Sequence, residues 1–191
     1  MKVSEAIRSR RSVRKFQDRR IPRDVLEELV DYARLAPSGM NKQPLEFVIV
    51  DKPDLERKIF DYTSWAGAVD WNPGPEERPR AYVFILVNEG VKPVTADYDV
   101  GLAAGNICLG AVDTGLGSCI LGALEYESIE TLLGIPGDHR LDLAVGLGYP
   151  DQEVVLEDGT PEIDYWLDKE GVFHVPKRPS ENIIHFNGWD D

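Results

Sequence analysis

The sequence holds only two cysteines, Cys108 and Cys119, which leaves no disulfide framework and no four-ligand zinc site. Both read as small core residues and not as a redox pair. The three histidines, His139, His174 and His185, are scattered and read as surface side chains, unless folding gathers them. No Gly-x-Ser-x-Gly elbow and no phosphate-binding P-loop occur. Gly115-Leu116-Gly117 lacks the third glycine of a dinucleotide fingerprint, and it follows an expected helix where that fingerprint follows a strand. No apolar run approaches the ~18–20 residues that span a bilayer. The first residues, Met1 to Arg8, lack an apolar signal core. The cytoplasm is therefore the expected compartment. A net charge of −13 argues against broad binding to nucleic acid or to anionic membranes.

What is present is the mix of a globular protein: 191 residues, 42% hydrophobic and 29% charged, enough for one domain with a sizeable core. The charge is uneven. Residues 1–23 carry nine cations (Lys2, Arg8, Arg10, Arg11, Arg14, Lys15, Arg19, Arg20 and Arg23) against Glu5 and Asp18, a balance of +7. The other 168 residues therefore carry −20. Such a basic head either pairs with the acidic body as a solvated face or holds a small anionic ligand, because guanidinium forks match phosphate geometry. Composition does not choose between them.

Local patterns predict a helix over residues 5–9, capped by Ser4, and a second over residues 22–36, opened by Pro22 and ended by Pro37. Val25, Leu26, Leu29, Val30 and Ala33 fall on one face of the latter. Pro37 to Pro44 is a loop rich in turn formers and amides. Strands are expected over 46–50, 82–87, 118–121 and 141–147, and helices over 54–62 and 128–133. Residues 63–80 read as irregular. The helix over 96–114 keeps Gly101, Gly105 and Gly110 although each costs about 1 kcal/mol relative to alanine. That suggests a buried helix approached closely by another backbone. From Asp151 onward the chain is acidic and turn-rich, then an extended arm leads to a short strand over 182–186. An arm with so little core of its own would pack across a partner subunit. The element order predicts a single α+β domain, three-layered as α/β/α around a mixed central sheet.

Five motifs recur in a telling order: Arg10-Arg11-Ser12-Val13-Arg14-Lys15-Phe16, Pro37-Ser38-Gly39-Met40-Asn41-Lys42-Gln43-Pro44, Asp99-Val100-Gly101, Gly115 to Gly122, and Lys177-Arg178-Pro179. Together they resemble the nitroreductase-like family of flavin mononucleotide (FMN) enzymes over nearly the whole chain. The resemblance implies that Arg10, Arg11 and Ser12 hold the FMN phosphate and ribityl chain, and that Lys177 and Arg178 reach the same phosphate. Each such charge-assisted contact is worth about 1.5–3 kcal/mol. It places Arg14 by the pyrimidine edge, where its charge favours the anionic reduced ring. Pro37, Ser38, Gly39 and Asn41 would come from the other subunit of an intertwined homodimer, with Gln43 nearby. The backbone around Leu121 and Gly122 would face flavin N5 and donate a hydrogen bond.

Two readings of the residues agree with this. The positive charge sits where an anionic cofactor needs it, and Asn41 and Gln43 offer what a uracil-like edge uses. The chain departs from larger members in leaving little room, over 63–80 and 122–127, for a helix covering the flavin. Asn72 stands near the place of a flavin-contacting residue without a firm match. Trp65, Trp71 and Tyr126 either stack on a planar substrate or serve as core and lid aromatics. The activity implied is NAD(P)H oxidation by ping-pong hydride transfer through flavin N5 to a small-molecule acceptor such as a quinone or nitroaromatic. No side-chain nucleophile or base is then required. A reductase or dehydrogenase of one metabolite, or a flavin-binding redox sensor without turnover, are the alternatives.

Overall fold

Helix α1 (Val3–Ser9) begins two residues earlier than a Ser4 cap predicts, because the Lys2 backbone N–H donates to Glu5 Oε2 at 3.0 Å. The computed structural model describes residues 1–91 and 95–189. They divide into two compact units, the first comprising residues 1–65 and 72–151, the second residues 66–71 and the chain from Gln152 onward. In the first unit, α2 (Arg23–Arg34) follows Pro22 and buries Leu26, Leu29 and Ala33, the centre of the predicted apolar face. Then come β1 (Leu45–Val50), α3 (Pro53–Asp61), β2 (Ala81–Asn88), α4 (Ala96–Asp113), β3 (Gly117–Leu121), α5 (Tyr126–Leu133) and β4 (His139–Gly148). Gly134 ends α5 with a left-handed φ of 65°, a conformation that costs glycine nothing.

The sheet runs β1-β2-β4-β3, and each of its three pairings is antiparallel. This corrects the mixed central sheet expected from the element order. Strand β4 inserts between β2 and β3, so the two strands joined across α4 never become parallel neighbours. The parallel element that remains is an isolated bridge between Ser12 and Ser118. Strand β2 is buried along its first seven residues, as its unbroken apolar run requires. Ala81, Val83, Ile85 and Val87 join the core under α2 and α4, while Tyr82 and Phe84 fill the opposite face.

The second unit holds a three-stranded sheet, β5 (Val154–Asp158), β7 (Phe173–Lys177) and β6 (Trp166–Leu167), with β5 parallel and β6 antiparallel to β7. Sequence patterns missed β5 and β6 because acidic and turn-forming residues mask their short alternation. Fully buried Phe173 anchors them, with Trp71 edge-on at 5.1 Å and Tyr165 at 6.2 Å. The strand expected over 182–186 is absent. Ser180–Asn182 forms a 3₁₀ turn instead, and Ile183 and Ile184 donate their N–H groups back to Ser180 O. Ile183, Ile184, Phe186 and Trp189 stay exposed. Residues 190 and 191 of the expected arm lie outside the described residues.

Candidate functional site

The arginine run is pinned along one side by two apolar side chains. Ser12 bridges Ser118, and the Val13 N–H donates to Ser118 O at 2.9 Å. Val13 is buried over Gly117, where a Cβ would come within 2.9 Å of Val13 Cβ. Phe16 is buried against Gly148 in the same manner, and its N–H donates to Glu77 O at 2.9 Å. An extended backbone alternates its side chains. With Val13 turned inward, Ser12 and Arg14 are left half-buried, as are Arg10 and Arg11 at the end of α1.

Part of the basic head pairs with the acidic body. Lys15 pairs with Glu77 (3.1 Å) and Asp151 (3.7 Å), Arg20 with the buried Glu56, and Arg23 with Asp51 (3.0 Å). Arg19 lies over the Tyr149 ring at 3.6 Å. Lys15, Arg20 and Arg23 therefore bind the acidic body. Arg10 takes part in none of these pairs.

Beside the run lie the two cysteines, both buried and unbridged. Burial pushes the Cys119 thiol up to about 11 and raises that of Cys108, so neither is a thiolate at neutral pH. Ser118 is buried, and its hydroxyl has no oxygen or nitrogen partner among the described residues. Beyond it, Leu121 is buried at the end of β3, and a Cβ on Gly122 would meet no atom within 4 Å. The Tyr126 hydroxyl donates to Gly122 O at 2.7 Å and lies 3.1 Å from Asp142 O, which fixes the peptide that ends the strand.

The predicted loop folds as a 3₁₀ turn, Gly39–Asn41, with Met40, Asn41 and Gln43 at φ of 54°, 54° and 49°. Three left-handed residues without glycine in so short a stretch are costly, so neighbouring contacts must hold them. The Gly39 N–H donates to Asp99 Oδ1 at 3.1 Å, and the Gln43 N–H donates to Ser38 Oγ at 3.1 Å. Pro37, Ser38 and Gln43 also line a cavity of about 170 Å³ backed by Leu45, Phe47 and Asp99. Within one chain the loop is held by Asp99 and Thr95 at the N-terminal end of α4, and the arginine run by Ser118 and Glu77.

Lys177 and Arg178 belong to the second unit. Lys177 O accepts the Gly159 N–H at 3.1 Å, and Arg178 Nη2 donates to Asn182 O at 3.0 Å. Of the three aromatics, Trp65 is core, 7% exposed and donating Nε1–H to Thr63 Oγ1 at 2.9 Å. Trp71 packs on Phe173, and Tyr126 is engaged as above. Asn72 is exposed. Asp99 and the buried trio Glu56, Arg78 and Arg80 were assigned no role from sequence, since nothing local distinguishes a buried charge from a surface one. Among the described residues no three His, Cys, Asp or Glu side chains form a metal site, and no helix is long and apolar enough to cross a membrane.

The profile describing the Nitroreductase family matches residues 7–149. A protein of Methanothermobacter thermautotrophicus, named provisionally as an NADH dehydrogenase/NAD(P)H nitroreductase, is 30% identical over 157 residues, 78% of each chain. An iodotyrosine deiodinase of Thermotoga neapolitana is 29% identical over 163 residues, 75% of this chain and 86% of that one. In fold, the chain is similar to an FMN-dependent nitroreductase of Clostridium difficile R20291, with a TM-score of 0.71 at 22% identity over 96% of this chain and 98% of that one.

Proposed function

The chain belongs to the Nitroreductase family, and on that premise we propose that it is an FMN-dependent oxidoreductase of the nitroreductase and quinone-reductase type, reduced by NADH or NADPH. One observation carries this reading: Arg10 is half-buried beside Arg11, Ser12 and Arg14, outside the ion pairs that Lys15, Arg20 and Arg23 make among the described residues. A partly buried guanidinium binds a dianion more strongly than one in open water. The donor set fits FMN in its other parts as well. Asn41 and Gln43 present exposed amides for the pyrimidine edge, and Gly122 leaves open space where an aromatic ring could lie. The family resemblance adds Lys177 and Arg178 as further cations for the phosphate.

FMN, when bound, supplies the hydride chemistry at its N5, with a quinone or nitroaromatic as the acceptor. This chain's part is placement and charge. Arg10, Arg11 and Ser12 hold the phosphate and ribityl end, and Arg14 favours a negatively charged ring. Tyr126, by binding Gly122 O, fixes the Leu121–Gly122 backbone, which would donate a hydrogen bond to the ring.

The same reading makes the protein an intertwined homodimer with α/β/α layers, its site shared between subunits. The loop at Pro37–Gln43 is anchored at the N-terminal end of α4, and a second copy would bring it to the arginine run of the first. An exposed stripe on α4 suits it. Tyr98 and Leu102 are 74% and 48% exposed, and a Cβ on Gly101 or Gly105 between them would meet no atom within 4 Å. The likeness to an iodotyrosine deiodinase favours a second, more specialised reading, the reduction of one aromatic metabolite.

Rapid mixing of the FMN-loaded protein with NADH or NADPH tests the activity. Fast loss of the visible flavin band and fast recovery on adding quinone or nitroaromatic are expected. A band that neither nucleotide bleaches would contradict an oxidoreductase. Arg10→Ala should weaken FMN binding by about 1–3 kcal/mol; unchanged affinity would remove Arg10 from the phosphate site.

A further inference from the structure

The strained loop has a holder with no assigned role. Asp99 is 3% exposed; its Oδ1 accepts the Gly39 N–H at 3.1 Å, while its Oδ2 is buried without a hydrogen-bond partner among the described residues. One turn back, at the N-terminus of α4, the Thr95 side chain lies against Gly39, so that a Cβ on Gly39 would overlap the Thr95 hydroxyl. Asp99 and Thr95 thus grip the loop at the residue before Met40 and Asn41, both held at left-handed φ. Left-handed residues other than glycine persist only where surrounding contacts over-determine them, and such strain gathers at binding sites. A buried carboxylate that spends one oxygen on a single loop N–H is costly for packing alone. The same carboxylate is understandable as a clamp.

We infer that Asp99 is a positioning residue, acting with Thr95 to set the Ser38–Asn41 turn in the shape that meets the flavin of the partner subunit. This rests on the proposed shared site and deepens it. The N-terminus of α4 in one subunit then controls cofactor affinity in the other, with no contact of its own to the cofactor.

The test compares FMN affinity in Asp99→Ala, Asp99→Asn and Gly39→Ala homodimers, each checked for intact dimer mass and cooperative unfolding. Asp99→Ala is expected to raise the FMN dissociation constant at least about tenfold, because one loop N–H loses its acceptor. Asp99→Asn keeps a carbonyl oxygen in place and should restore most of the affinity. Gly39→Ala should match Asp99→Ala without altering α4, and adding Thr95→Ala should recover part of the loss. A mixed dimer of one Asp99→Ala and one Arg10→Ala subunit then gives the decisive readout. Its intact Arg10 and its intact loop come from different chains, so it should regain one tight FMN site per dimer, which neither parent homodimer has. FMN affinity unchanged in both Asp99→Ala and Gly39→Ala would overturn the inference, and so would a mixed dimer with no tight site. An Arg10→Ala homodimer that binds FMN normally would instead defeat the underlying assignment of the phosphate site.

Discussion

Replacing Gly101 and Gly105 together with alanine sets two physical effects of opposite sign against each other. In a helix interior, each Gly→Ala change is worth about 1 kcal/mol. In an isolated subunit, where a Cβ at either position meets nothing within 4 Å, the pair should stabilise the fold by about 2 kcal/mol. On a helix face covered by a second copy of α4, the same methyl groups intrude into a close contact. Overpacking costs roughly 1–3 kcal/mol per site. A twofold interface meets each substitution twice, so even the lower limit removes about 4 kcal/mol of association energy, or roughly a thousandfold in dissociation constant. Gly110→Ala is the internal control. Its Cβ would lie 2.5 Å from Tyr32 Cδ2 and 2.8 Å from Leu29 Cδ2, both within the subunit, so it should weaken folding and leave dimerisation alone. Sedimentation across a concentration series reports association, and urea unfolding reports subunit stability. A double variant that gains about 2 kcal/mol and keeps the parent's dimer affinity would refute the assignment of this face.

Three other substitutions probe the fold around the site. Glu56→Ala strips the buried partner from Arg20 and leaves Arg78 and Arg80 with Glu76 (3.9 Å) and Asp18 (3.3 Å) as their carboxylates, at a cost of about 1.5–3 kcal/mol in urea unfolding; a loss under about 1 kcal/mol would show the cluster to be solvated. Gly117→Ala pushes a methyl into Val13 and should cost about 1–3 kcal/mol while weakening FMN binding in the same variant. An unchanged FMN affinity there would separate Val13 from the site. His174 lies 2.6 Å from Glu157 Oε1 and 3.2 Å from Asp168 Oδ2, stacked on Trp166, and these carboxylates raise its pKa above 6.5. Its folded pKa exceeds the unfolded one, so its contribution to the small sheet is full below about pH 6.5 and fades as pH rises through the raised value. Trp166 fluorescence should follow that titration and lose it in His174→Asn; a pH-independent signal in the parent would dismiss the pair.

Where burial and pattern coincide, the chain was readable without coordinates. The unbroken apolar run of β2, the one-sided face of α2 and the stop at Gly134 all follow from side chains acting locally. Sheet direction was not readable, because it depends on β4 inserting between two strands far from it in sequence. The strand expected over 182–186 has the right residues and no partner strand among the described residues, and the chain closes on itself at Ser180–Asn182 as a 3₁₀ turn. At the site, the arginine run and the amide loop were visible as motifs. The clamp of Asp99 on Gly39 was not, since it depends on a contact across the fold.

On the proposed reading, this chain holds FMN on Arg10 and its neighbours at a site shared by two subunits. Titration of the purified protein with FMN, with the visible spectrum recorded and released flavin identified by chromatography, is the decisive measurement. One FMN per chain is expected, bound by the dimer, with affinity weakened in Arg10→Ala. A colourless protein that takes up no added FMN, or a monomer that binds it in full, would contradict that reading.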